Sequence, residues 1–305
     1  MPNDKIATKI ILGLGNTSLS DIKAIGAIYA KAGADMFDIT ADKQALSALF
    51  EGIKSQNLDP ANFNICVSFS FGDDIHGSKA EIDSANCTKC GKCLENCPYN
   101  AITSDFTVIK ERCIGCRKCS ECPNISYYKE AVDPIERLNE LKDFGINTVE
   151  LHTNGVSKSE VISRVLEIHK NFPNIDISIC NSYGKRDLAE TKEIIREASK
   201  IIAPKKLIFQ TDGKAMTGTT NELLSAKEAV EFAKSLKDEN ALLVLSGGCN
   251  EKTIELVKKE NIKIFGIGYG SFARILVDKY VKNSEFWCNM EIINQAVETA
   301  RRIKC

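Results

Sequence analysis

Eight of the thirteen cysteines fall within 36 residues, as Cys87-x-x-Cys90-x-x-Cys93-x-x-x-Cys97-Pro98 followed by Cys113-x-x-Cys116-x-x-Cys119-x-x-Cys122-Pro123. The first three of each run repeat at an offset of 26 residues. Short spacers let consecutive thiolates wrap one cubane, and the fourth Cys of a run crosses to the neighbouring cluster. This spacing predicts two [4Fe–4S] clusters, one on Cys87, Cys90, Cys93 and Cys122 and the other on Cys113, Cys116, Cys119 and Cys97. A pair of zinc sites is the competing reading, because zinc also takes four thiolates. Zinc has no use for a third closely spaced Cys or for the closing prolines. The second run has two residues before its last Cys where the ferredoxin pattern has three, so Cys122 is its least regular member.

The rest of the chain must position these sulfurs. Short β-branched runs alternate with amphipathic helical stretches, the pattern of a parallel α/β protein. Eight strands are expected, at 9–14, 35–40, 63–71, 147–153, 175–182, 206–211, 241–245 and 263–268. A helical stretch follows each, and a last amphipathic helix covers about 288–303. Eight such units fit a (β/α)8 barrel of ordinary size, with an open doubly wound sheet as the alternative. The cysteine segment stands between the third strand and its helix. The expected organisation is therefore 1–72 as the first part of the barrel, 73–132 as a ferredoxin-like insert, and 133–305 as the rest of the barrel with the final helix. A βα loop lies at the C-terminal face of a barrel, where sites in this fold are built.

Two glycine-rich loops follow the seventh and eighth strands, Ser246-Gly247-Gly248-Cys249 and Gly266-Ile267-Gly268-Tyr269-Gly270-Ser271. Barrels commonly hold phosphate there, on backbone N–H groups. Ser246, Ser271 and Arg274 add side-chain donors. FMN is the phosphate ligand that connects most naturally to iron–sulfur clusters, since flavin accepts single electrons and passes hydride equivalents. A sugar phosphate is the other candidate. Glu150 and His152, two apart on the fourth strand, share one side of the sheet and are candidate acid/base residues; a structural ion pair is the plainer alternative. Gln210 and Asp212 close the sixth strand, and a long glycine-punctuated loop, 212–221, follows as a candidate ligand loop. Cys66, Cys180 and Cys249 read as small core residues.

Tyr29–Thr40 (YAKAGADMFDIT), Val149–Thr153 (VELHT), Gln210–Gly218 (QTDGKAMTG), Leu245–Asn250 (LSGGCN) and Ile267–Arg274 resemble, in this order, segments of the cyanobacterial light-dependent-period iron–sulfur proteins, on the input side of the circadian clock. The resemblance implies two [4Fe–4S] clusters and a role in sensing or relaying redox state. It also points to Gln210, Asp212, Gly247, Gly248, Gly268, Gly270 and Arg274 as site residues.

Composition bounds the remainder. Forty basic against 41 acidic residues leave a net charge of −1, which argues against a nucleic-acid partner. No apolar run approaches the length of a bilayer span. Thirteen cysteines without a recognisable secretory leader point to reduced thiols and metal, with the cytoplasm as the expected compartment. No G-x-G-x-x-G follows a strand, so direct nicotinamide use is not expected. The reading is an electron-transfer or redox-sensing protein working with a redox partner or a small molecule. The alternative is a flavin-dependent oxidoreductase whose clusters feed a small substrate.

Overall fold

The computed structural model describes residues 5–13, 17–71, 78–97, 100–110, 112–113, 117–128, 132–213 and 222–303. Of the expected features, Cys116 and the loop 214–221 lie outside the described residues.

Eight parallel strands close into a barrel: β1 (Ala7–Gly13), β2 (Met36–Thr40), β3 (Asn64–Ser70), β6 (Thr148–His152), β7 (Asp176–Ser182), β8 (Leu207–Asp212), β9 (Leu242–Ser246) and β10 (Gly266–Tyr269). Closure is direct, since β1 pairs with both β10 and β2. Helices follow the strands: α1 (Leu19–Ala32), α2 (Lys43–Lys54), α4 (Pro134–Glu140), α5 (Lys158–Asn171), α6 (Leu188–Ile201), α7 (Glu222–Ser235), α8 (Thr253–Lys259) and α9 (Ser271–Val281). The closing helix is α10 (Met290–Ala300). The open sheet is thereby excluded. The helix that opens at Pro134 is short: α4 stops at Glu140, and a 3-10 turn carries the chain to a left-handed Gly145.

Local chemistry sets the helix starts. Ser18, Asp42, Ser157, Asp187 and Asn289 each accept a backbone N–H as N-caps, satisfying donors a helix leaves free. Gly52 brings α2 onto α1, since a Cβ there would lie 2.0 Å from the Lys23 carbonyl oxygen.

The two faces of the strands differ sharply. Ile10, Leu12, Phe37, Ile39, Val67, Phe69, Val149, Leu151, Ile177, Ile179 and Phe209 join one apolar core with the helices. The alternate residues Lys9, Asp38, Ser68, Glu150, Ser178 and Gln210 meet one another across the lumen. Barrel interiors are ordinarily filled by bulky branched side chains, whereas this one carries a buried polar network.

Between β3 and α4 the chain leaves the barrel. It forms an antiparallel pair, β4 (Lys79–Ile82) and β5 (Ile125–Tyr128), and a single helical turn, α3 (Lys92–Glu95). This excursion has its own small core of Ala80, Cys93, Ala101, Ile102, Cys113 and Cys119, separate from that of the barrel. No helix among the described residues is long and apolar enough to cross a membrane.

Candidate functional site: a cysteine insert and a charged lumen

The short spacers of the cysteine runs are bent by the backbone itself. Of six non-glycine residues with positive φ among the described residues, four lie here: Lys89 (54°), Asn100 (48°), Phe106 (62°) and Arg117 (60°). Such conformations are unfavourable for bulky side chains, and Lys89 turns the chain just before Cys90. Burial pushes the Cys93 thiol up, and the charges of Cys122 and Cys87 act in the same direction. The exposed Cys90 is held down by the Lys92 backbone N–H and the Thr88 hydroxyl.

Donors converge on the other sulfurs. Ala101 N–H donates to Cys97 Sγ at 3.3 Å, Ala80 N–H donates to Cys113 Sγ at 3.2 Å, and the Tyr127 hydroxyl lies 3.1 Å from Cys119 Sγ. Hydrogen bonds to sulfur favour the thiolate that metal needs. An all-sulfur donor set with backbone N–H groups aimed at it fits an iron–sulfur cluster.

Inside the barrel, the lumen is built around Lys9. Its Nζ lies 2.5 Å from Glu150 Oε2, 2.8 Å from Asp38 Oδ2 and 2.7 Å from Gln210 Oε1. Ser178 donates to Glu150 Oε2 at 3.0 Å, Gln210 Nε2 donates to Glu150 Oε1 at 2.8 Å, and Ser68 donates to Asp38. Burial opposes the charge on Lys9, but Asp38 and Glu150 outweigh it and hold the ammonium well above its ordinary value. Burial alone would raise Glu150; Lys9 and His152 reverse that and bring it down to about 2. Asp38, for which burial wins, sits at about 6.

His152 stands at the end of β6, with Nε2 3.3 Å from Glu150 Oε1. Asp212, at the end of β8, accepts from the Cys180 thiol at 3.2 Å, and burial raises its carboxyl. Of the residues expected at the mouth, Glu150, His152, Gln210 and Asp212 are brought together. Ser246 lies beside Asp212 in register.

The glycine loops have packing reasons of their own. Gly247 has φ of 62°, and a Cβ there would come 2.7 Å from the Gly213 nitrogen. At Gly268 a Cβ would press on Ile11 Cδ1 at 3.0 Å. Gly248 takes a positive φ, and Cys249 is buried in the apolar core as expected. Gly270 and Ser271 start α9, where Arg274 donates to the Ile11 carbonyl at 3.0 Å.

Lys9, the centre of the network, carries no motif. Its only sequence signal is a lone cation inside the apolar run of β1, in phase with no neighbouring polar residue. Cys180 is buried as expected but faces Asp212 and Gln210 in the lumen, not the apolar core.

A closed α/β barrel carrying a cysteine insert after its third strand defines an iron–sulfur barrel protein. The sequence comparisons agree on both parts. A family described as 4Fe-4S binding domain matches residues 79–102, which include Cys87, Cys90, Cys93 and Cys97. The Light dependent period A C-terminal domain matches residues 140–303, more than half of the chain, and the chain belongs to that family. The Light dependent period A protein of Synechococcus elongatus is 28% identical over 319 aligned positions, covering 96% of this chain and 88% of that one. Among solved structures, the YdjI aldolase of Escherichia coli K12 superposes with a TM-score of 0.51 at 10% identity, covering 97% of this chain and 88% of that one. Spore coat polysaccharide biosynthesis protein spsE of Bacillus subtilis gives 0.51 at 8% identity, covering 99% and 68%. At such identities these two speak for the barrel fold alone.

Proposed function

We propose that this protein is a redox relay or sensor in which two [4Fe–4S] clusters, held in the 73–132 insert, exchange electrons with a partner and report their state at the barrel mouth. Cys87, Cys90, Cys93 and Cys122 hold one cluster; Cys113, Cys116, Cys119 and Cys97 hold the other. The observation that carries the reading is the pair of backbone N–H groups aimed at one sulfur of each run, Ala101 at Cys97 and Ala80 at Cys113, as cluster sulfurs receive them. Kinship with a light-dependent-period protein supports a signalling role over a metabolic one. The clusters supply one-electron chemistry when bound. The chain's own part is to hold the sulfurs, direct N–H groups at them and attach the insert to a loop at the C-terminal ends of the strands.

A second reading, a flavin-dependent oxidoreductase, draws on the Gly247–Gly248 turn beside Ser246 and Asp212, with phosphate held by Gly268, Gly270, Ser271 and Arg274. Glu150 and His152 would then serve proton transfer. The depressed Glu150 carboxyl favours an ion-pair role for that residue instead.

Anaerobic purification followed by iron and sulfide analysis should give about eight of each per chain, and the reduced protein should show paramagnetic signals of two interacting centres. Zinc with no reducible centre would remove the proposal. Acid extraction separates the two readings: released flavin favours the oxidoreductase, and its absence, with none rebinding, leaves the relay.

A further inference from the structure

The lumen contains two overlapping groups of metal-capable side chains that share Glu150, and Lys9 stands on the deeper one. That group is Asp38, Cys66 and Glu150, and Lys9 Nζ touches both of its carboxylates. The group nearer the mouth is Glu150, His152 and Cys180, whose ligand atoms all lie within 4.8 Å of one another. Asp212 adjoins it, with Oδ2 3.2 Å from Cys180 Sγ. Its Oδ1 is buried and makes no hydrogen bond among the described residues. Nor does any described Lys or Arg pair with Asp212. Lys9 thus serves Asp38 and Glu150, and on the mouth side only the His152 imidazole faces the Asp212 carboxyl, a local shortfall of Lys or Arg charge among the described residues.

The donor types narrow what would make it up. One imidazole nitrogen, one thiol sulfur and one carboxylate oxygen suit a borderline-soft ion, whereas magnesium and calcium take all-oxygen sets. Gln210 Nε2 donates to Glu150 Oε1 at 2.8 Å and to Cys180 Sγ at 3.6 Å, which orients two of the three donors as outer-shell partners do in metal sites. His152 keeps 15% of its side chain exposed and so opens the group to the mouth.

We propose that the barrel mouth binds one divalent transition-metal ion, of the zinc type, on Glu150 Oε1, His152 Nε2 and Cys180 Sγ. Three protein ligands leave a coordination position open, the arrangement of zinc sites that bind or activate a small molecule. The thiol proton of Cys180 is released to solvent as the metal–sulfur bond forms. This site is independent of the cluster assignment, because it shares no residue with the insert.

The test uses the cluster-loaded protein under anaerobic conditions, titrated with zinc chloride and measured by zinc-edge X-ray absorption, to which the iron is silent. The expected result is one zinc per chain, with a mixed nitrogen and oxygen shell and a single sulfur. His152→Ala and Cys180→Ser should each weaken zinc binding about tenfold or more, since even outer-shell changes cost 10–100-fold, and leave iron and sulfide content unchanged. Emission from Trp287, the single tryptophan, verifies that each variant is folded; should one variant not fold, the other and the wild-type shell still decide. No zinc uptake, a shell of four sulfurs that places the zinc in the insert, or uptake unmoved by both folded variants would overturn the proposal.

Discussion

The barrel lumen and the cysteine insert both collect groups that are costly to remove from water, and they stabilise them in opposite ways. In the lumen the chain provides its own counter-charge: Lys9 touches Asp38, Glu150 and Gln210, and serine hydroxyls complete the bonding. A large apolar core surrounds that network on every side. In the insert, three of the six core residues are cysteines, and the regular structure among the described residues amounts to two four-residue strands and one helical turn. So small a core does not hold a fold unaided, and four left-handed non-glycine residues add strain. The difference teaches that the deep lumen around Lys9 is complete as polypeptide, whereas the insert is completed by what its sulfurs bind.

Variants can break or sharpen this contrast. The largest effect is expected in the insert: Cys90→Ala should lose one cluster, cutting iron by about half, and expose residues 73–132 to proteolysis. Trp287 emission, reporting the barrel, should stay as in the wild type. Unchanged iron would remove Cys90 from the ligand set.

Next comes Lys9→Met, which leaves two buried carboxylates without the Lys9 counter-charge. A loss of about 3–5 kcal/mol is expected, read as a lower urea midpoint with the iron content retained. The same pair sets a pH dependence. Glu150, at about 2 when folded against an ordinary 4.5, contributes stability above pH 4.5 that is lost as pH falls toward 2. Asp38, at about 6, destabilises the fold as it ionises with pH rising through 6. Urea midpoints followed by Trp287 should show Glu150→Gln flattening the acid limb and Asp38→Asn the neutral one.

Gly247→Ala should cost about 1–3 kcal/mol, because φ of 62° and the Gly213 backbone leave no room for a methyl group; a calorimetric melting temperature measures it. The smallest change is Asp42→Ala, which removes the α2 cap whose carboxylate accepts from Ala45 N–H at 2.8 Å. About 1 kcal/mol is expected, and a neutral result would mean that packing against α1 alone fixes that helix end.

Local patterns made much of this molecule legible. Cysteine spacing reports a cluster chemistry because ligands close in sequence must be close in space. Strand and helix periods, with capping residues such as Ser18, Ser157 and Asp187, report the eight repeated units. The β4–β5 pairing was not legible, since its strands lie 42 residues apart with the cysteine runs between them. Nor was the role of Lys9, whose partners Glu150 and Gln210 stand 141 and 201 residues away.

Sequence alone determined which residues could take metal in the insert and that the chain would wind as alternating strands and helices, because both depend on short-range spacing. Only the tertiary structure decided that the strand face turned inward would be polar, that Lys9 would neutralise the deep carboxylates, and that Glu150, His152 and Cys180 would meet at the mouth. Barrel closure brings strands distant in the chain to within hydrogen-bonding reach, and the charge balance of a buried site is settled only where all of its walls meet.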